Sequence, residues 1–279
     1  MLIQLKDQSF HIDPGKNKDA WEHINTELWE PHSFDIFDFF VKKNNVIIDI
    51  GAWSGVLSLY IAHKALKVYA LDPDPVCFKE LETNIALNKT LAEKIKAYPI
   101  AIAEKKGMVR LSARTEYGKS SSSVLKRKRD QIYTHKIKTL SLLDFIIQEK
   151  IDKVDFIKMD VEGAEFQILP NIASALKRLK YPTLYISFHY YFLIEHLYYQ
   201  YVPFVFLNKI CLKLEKMTGF SVFKKKIRSE IAHLYDALLV YEYIYTTQGN
   251  LITKDVLKKR PELIKTHDLV FTNLKWEIE

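Results

Sequence analysis

The sequence predicts an α/β fold: a Rossmann-like, seven-stranded, mostly parallel sheet with helices on both faces and a helical insertion near residues 190–235. Three observations carry this. The run Val46-Ile47-Ile48-Asp49-Ile50 is almost continuously apolar, as a strand covered by helices on both sides should be. It passes through a turn containing Gly51 and Gly55 into a helix over about Val56 to His63, and a second apolar strand, Val68 to Leu71, ends in Asp72. Downstream, helical and strand patterns keep alternating, the order that builds a parallel sheet with right-handed crossovers.

Taken in order, residues 1–44 read as a helical lead-in to a single domain spanning 1–279. Asp74 to Leu87 reads as a helix, with Phe78, Leu81 and Ile85 on one face and Pro75 in the first turn, where a missing N–H is harmless. A third strand is expected over Ile95 to Ile102, and Met108 to Leu111 alternates as a short extra strand after the Lys106-Gly107 turn. Gly118 to Ser123 is a polar loop, and the densest basic run, Lys126 to Arg129, reads as a solvated loop in preference to an anion site. A helix over Leu140 to Gln148, a strand over Val154 to Met159, a helix over Phe166 to Leu179 and a strand over Thr183 to Phe188 follow.

From Tyr190 to about Tyr235 the rhythm changes to helices. Leu207, Ile210, Cys211, Leu214 and Met217 share one helical face, with Lys209, Lys213 and Lys216 nearby and Lys224 to Lys226 beyond. A packed helical cover is preferred there over a helix lying on a membrane surface. Leu238 to Thr246 and Leu269 to Thr272 complete seven main strands.

The ligand is read from the first turn. Asp72 lies 23 positions after Asp49, close to the spacing of about 20 at which βαβ units place a ribose-binding acid. A dinucleotide fingerprint would need Gly-x-Gly-x-x-Gly, and Trp53 stands where the middle glycine belongs. Asp49 and Asp72 instead flank a site suited to a ligand carrying an ammonium and a sulfonium, the charge pattern of S-adenosylmethionine. A nicotinamide cofactor, or a strand-turn-helix with no ligand, are the alternatives.

In open α/β sheets ligands gather at the carboxyl ends of strands, where Asp49, Asp72, Asp160 and His189 fall. Asp160 opens the run Asp160-Val161-Glu162-Gly163-Ala164-Glu165 beside the expected reacting end of the donor, whereas Glu165 reads as a carboxylate favoured by a helix N-terminus. Methyl transfer relies mainly on positioning, which supplies on the order of 7–11 kcal/mol. A hydroxyl nucleophile must also lose its proton. His189, or Asp160 acting with it, is the candidate base, a role typically worth about 10²–10⁴-fold. Asp160, Glu162 and His189 could also offer ligands to a divalent metal, a question the spacing leaves open.

The set Val46 to Ala52, Val68 to Pro75, Asn84-Ile85-Ala86-Leu87-Asn88 and Ile157 to Glu165 resembles the FkbM-type family of S-adenosylmethionine-dependent methyltransferases over roughly Trp29 to His189. The resemblance implies a class I methyltransferase fold whose last strand is antiparallel, and O-methylation of a hydroxyl on a sugar or natural product. It implies that Asp49, Gly51, Ala52 and Gly55 line the donor site, that Asp72 binds the ribose, and that Asp160 and Glu162 match the family's Asp-Val-Glu-Gly segment; Trp53, Pro73, Asp160 and Glu162 are counted with the expected cofactor-binding residues. Two departures stand out: Asp72 where the family usually has Glu, and Ile186-Ser187-Phe188-His189 where many members carry a Glu before the histidine.

With 279 residues, 48% of them hydrophobic, the chain can bury a full core. Its +7 net charge suits an acidic substrate, nucleic acid or an anionic membrane without choosing among them. The first residues lack a signal-peptide pattern, and Cys77 and Cys211 form no metal-spaced cluster, which together favour a cytoplasmic location, with peripheral membrane contact as an option. The expected partner is a glycan or other small-molecule acceptor, and no specific nucleic-acid partner is predicted. Rival readings are a methyltransferase on RNA or lipid, a nicotinamide-dependent oxidoreductase, and a non-catalytic protein of a membrane or RNA.

Overall fold

The computed structural model describes residues 1–279 apart from 27–28, 114–115, 120–121, 126–132, 203, 219–222 and 278–279, so the basic run at Lys126 to Arg129 lies outside the described residues. The chain opens with a hairpin, β1 (Leu2–Leu5) and β2 (Gln8–His11), turning through Lys6 at φ +50°. This corrects the helical lead-in expected for the first residues: Ile3 and Leu5 are buried while Leu2 and Gln4 are exposed, the period-2 pattern of a strand. Two helices follow, α1 (Lys18–Ile24) and α2 (Pro31–Phe40).

The central unit is β3 (Val46–Ile50), α3 (Val56–Lys64), β4 (Lys67–Leu71), α4 (Pro75–Ala86), α5 (Lys89–Ala92) and β5 (Ile95–Tyr98). The third strand is shorter than expected because Pro99 cannot donate to the ladder. Beyond it β6 (Ala101–Ile102) leaves the main sheet and joins β7 (Gly107–Ala113) and β8 (Tyr133–Leu140) in a separate three-stranded sheet. The rest comprises α6 (Leu142–Gln148), β9 (Phe156–Met159), α7 (Glu165–Ile168), α8 (Ala173–Arg178), β10 (Thr183–Ile186), α9 (Tyr190–Tyr201), α10 (Val205–Thr218), α11 (Lys224–Asp236), β11 (Tyr243–Thr246), α12 (Lys254–Lys259) and β12 (Leu269–Thr272). The single helix expected over Phe166 to Leu179 is broken by a 3₁₀ turn at Leu169–Asn171, where Pro170 lacks an N–H and its ring obstructs a continuing helix.

The seven main strands lie in the order β11-β12-β10-β9-β3-β4-β5, with β12 antiparallel to both its neighbours and the other pairs parallel. The path runs outward from β3 to β5 and then returns to β9 on the other side of β3. The switch point, and with it the ligand-binding crevice, falls between β3 and β9. Period-2 alternation sorts the strand residues to two faces. Ile48, Ile157, Leu184 and Phe271 join the core under α6, α8, α9 and α11, while Ile47, Phe156, Tyr185 and Val270 join the core that includes Trp21, Phe37 and Tyr60.

The segment after His189 is helical as expected, but its face is not a packed cover. Cys211 and Leu212 pack against the core, whereas Leu207, Ile210, Leu214 and Met217 are exposed. Among the described residues no helix is long and apolar enough to cross a membrane.

Candidate active site

At the switch point β3 runs into Gly51, whose φ is +85° and whose N–H, like that of Ala52, donates to the Leu71 carbonyl (2.9 and 3.0 Å). A Cβ on Gly51 would fall 1.7 Å from the Asp160 carbonyl oxygen, so only glycine lets the end of β9 close against this turn. Trp53, at φ +48°, donates its backbone N–H to Asp72 Oδ2 (2.8 Å), stacks its indole on Trp21 with centroids 5.6 Å apart, and donates Nε1–H to the Gly118 carbonyl (3.2 Å).

Asp72 therefore arrives held on both sides, since its Oδ1 accepts from the Asp74 N–H (2.9 Å). Each carboxylate oxygen keeps a further lone pair for a ribose hydroxyl. Burial pushes the Asp72 carboxyl up to about 7, against the pull of the Asp74 and Trp53 N–H groups. Asp74 caps α4 through Oδ1, which accepts from the Val76 and Cys77 N–H groups, and its Oδ2 accepts from Gly118 N–H (3.2 Å) and Ser122 Oγ (2.7 Å). Ser122 is thereby held at the edge of an apolar slot lined by Leu71, Ile100, Ile102 and Val124 with Asp72 at its side. This is a fit for a nucleoside: a flat apolar recess for a base and a carboxylate for its sugar.

A second cavity, of about 390 Å³, shares Gly51, Trp53, Lys119, Asp160 and Glu162 with that slot and is closed by Lys16, Asn17, His23, Trp29, Glu30, Lys158 and His189. Gly51, Trp53, Asp160 and Glu162 line both cavities, Asp72 and Pro73 the slot alone, Ala52 and His189 the larger cavity alone. Asp49 and Gly55 line neither. Gly55 takes φ +96° to open α3 and faces Leu81, and Asp49 is fully buried.

Asp49 stands opposite Lys158 in the β3–β9 register. Its Oδ2 accepts from Ser58 Oγ (2.6 Å), and its Oδ1 lies 3.5 Å from Lys158 Nζ, a charge pairing without a hydrogen bond. The same ammonium donates to the Gly51 carbonyl (2.9 Å) and lies 3.4 Å from Asp160 Oδ2. Burial works to discharge Lys158, but Asp160, Asp49 and Glu30 outweigh it and keep the lysine a cation. Sequence reasoning overlooked Lys158, although a lysine inside the apolar strand Phe156–Met159 was a visible anomaly. It also overlooked Glu30 and Trp29, which precede α2 in a stretch without strand-end placement.

Asp160, Glu162 and His189 do come together. His189 Nε2 is 3.5 Å from Asp160 Oδ1 and 3.5 Å from Glu162 Oε1, while Nδ1 pairs with the fully buried Glu165 Oε1 at 3.0 Å. Glu165 also accepts from the Val161 N–H (3.1 Å). Its carboxylate thus does more than favour a helix N-terminus, because it fixes the imidazole's orientation. Burial lowers the proton affinity of His189, but Glu165, Asp160 and Glu162 outweigh burial and push it up to about 10. The imidazolium form that this shift favours has no lone pair with which to receive a proton. The donor atoms of Asp160, Glu162 and His189 lie within 4.8 Å of one another, a set of oxygens and a nitrogen that a divalent cation could also use.

The methyltransferase FkbM domain model matches residues 49–206 of the chain. The chain belongs to the FkbM methyltransferase family. The FkbM domain takes S-adenosylmethionine as its methyl donor, and the slot beside Asp72 and the shared turn at Gly51 suit its nucleoside and amino-acid ends. The chain is similar to the methyltransferase sdnD of Sordaria araneosa, 25% identical over 54% of this chain and 68% of that protein. It is also similar to the ribosomal protein L11 methyltransferase of Carboxydothermus hydrogenoformans, 36% identical over 30% of this chain and only 26% of that protein. Among solved structures, methyltransferase FkbM from Methylobacillus flagellatus KT aligns with a TM-score of 0.37 at 22% identity, over 53% of this chain and 34% of that one.

Proposed function

We propose that this FkbM-family protein transfers a methyl group to a hydroxyl of a sugar, glycan or related natural-product acceptor. The observation that carries the reading is the second cavity, which opens directly from the donor turn. It sets two indoles, Trp29 and Trp53, among hydrogen-bonding side chains from Lys16, Asn17, Asp19, His23 and Glu30. Flat apolar rings beside convergent polar groups suit a ring-shaped, hydroxyl-rich molecule. α1, the residues just before it and the approach to α2 supply one wall, facing the first turn, Lys158, Asp160 and His189. None of the described residues 190–235 lines this cavity.

Bound S-adenosylmethionine supplies an electrophilic methyl carbon and leaves as a neutral thioether. The protein has to hold the acceptor oxygen in line and remove its proton. Asp160 is the proposed proton acceptor. In support, it lines both cavities, and Lys158 and His189 flank its two oxygens as cations that hold the carboxylate in place. His189, clamped by Glu165, is the positioning partner of the pair. A divalent cation on Asp160, Glu162 and His189 is a second arrangement supported by the same atoms, in which the ion itself would draw the acceptor oxygen.

The deciding experiment incubates the protein with isotopically labelled S-adenosylmethionine and a panel of sugars, sugar nucleotides, lipid-linked glycans and a protein control. Mass spectrometry then reads the gain of one methyl. Transfer to a sugar hydroxyl supports the proposal, and labelling of the protein control alone would overturn it. Repeating the assay after chelation separates the two proton-removal schemes.

A further inference from the structure

We infer that the outward face of α10 is a docking surface for an anionic lipid bilayer. At 3.6 residues per turn, Phe206, Leu207, Ile210, Leu214 and Met217 fall within about 100° of the helix circumference. All five are exposed, Phe206 and Met217 by more than 70%, and the preceding Phe204 is 67% exposed. Five large apolar side chains in one stripe on the surface exceed the scattered exposure that any protein shows.

The opposite side of α10 is anchored. Glu215 is buried and accepts from Tyr198 Oη on α9 (3.1 Å), while Leu212 packs against the main core. The stripe is therefore the free face of a docked helix. Charge decides its occupant. Lys209 and Lys213 are exposed along one flank of the stripe, and α10 shows water no acid, because its only one, Glu215, is turned inward. An apolar stripe edged by lysines is complementary to a negatively charged lipid surface, with the acyl boundary taking the aromatics and the headgroups meeting the ammonium groups. An antiparallel two-fold pairing with a second copy would instead set this lysine flank against itself. The helix is about 21 Å long, enough to lie along the interface and too short to span it.

The test is co-sedimentation of the full chain with vesicles of phosphatidylcholine, alone or with about 30% phosphatidylglycerol, at low and high salt. The readout needs no methyl donor, so it stands or falls independently of the catalytic reading. Binding is expected to the anionic vesicles, to be lost at high salt, and to be abolished by the pair Phe206→Glu and Leu214→Glu. The pair Lys209→Gln and Lys213→Gln should weaken binding by about fivefold for each lysine. Circular dichroism checks that the variants fold, and if the glutamate pair does not, the milder lysine pair decides. Absence of binding to either vesicle, or binding indifferent to both pairs of substitutions, would overturn the inference. So would a dimer in sedimentation velocity that Phe206→Glu splits while vesicles bind nothing.

Discussion

The turn after β3 and the outer face of α10 are opposites in what determines their residues. At the turn, each residue answers to the protein's own atoms: Gly51 to the carbonyl of Asp160, Asp72 to the N–H groups of Trp53 and Asp74, Lys158 to the carboxylates of Asp49 and Asp160. On α10, Phe206 and Met217 are more than 70% exposed, so the fold itself does not require them to be apolar. The contrast teaches that residue choice in one region is set by internal geometry and in the other by something that the chain meets.

Substitutions should separate the two regions by the size of their effects. The largest is expected for Lys158→Met, which leaves the buried Asp49 and neighbouring Asp160 without their shared cation. Urea denaturation should show a loss of about 3–5 kcal/mol, and a loss under 1 kcal/mol would mean that internal electrostatics do not govern the turn. Next, Asp72→Asn should keep the fold and weaken S-adenosylhomocysteine binding by roughly 10–100-fold in isothermal titration, the effect of losing charged hydrogen bonds to a ribose.

A subtler effect is expected at His189. Its folded-state value of about 10 lies above the ordinary 6.5, so the stabilisation it brings is fully present below pH 6.5 and disappears as the pH rises through 10. An NMR titration of the ring should report that midpoint, and Glu165→Gln should lower it by about one pH unit or more. A midpoint near 6.5 in the unaltered protein would dissolve the proposed cluster. The smallest effect belongs to α10. Phe206→Glu should leave the unfolding free energy within about 0.5 kcal/mol, and a larger loss would mean that the stripe packs on the protein after all.

Much of this was legible in the sequence where local rules are strict. The apolar runs of β3, β4, β9 and β10, the glycines of the first turn and the acids at strand ends each follow from period and placement, and they located the donor half. The N-terminal hairpin was equally legible from the alternation of Ile3, Leu5 and Phe10 but was overlooked. β8 was hidden for a physical reason: from Thr134 to Lys138 only Ile137 is buried, so no apolar run marks a strand whose existence depends on pairing with β7. The larger cavity was hidden because its walls, from Lys16 to Glu30 and from Asp160 to His189, are brought together only by tertiary folding. The protonation of His189 likewise depends on three carboxylates that share one run at the exit of β9, 24 to 29 positions before the histidine, and that only the pairing of β9 with β10 brings to it.

Asp74 has a consequence for how the nucleoside slot opens. One carboxylate both starts α4 and tethers Gly118 and Ser122. Withdrawing Gly118 and Ser122 strips two donors from an oxygen whose partner must stay committed to the helix, so the group cannot swing out to water without fraying α4. The contact at Gly118 and Ser122 is consequently fastened to the framework by a rivet and not by a hinge.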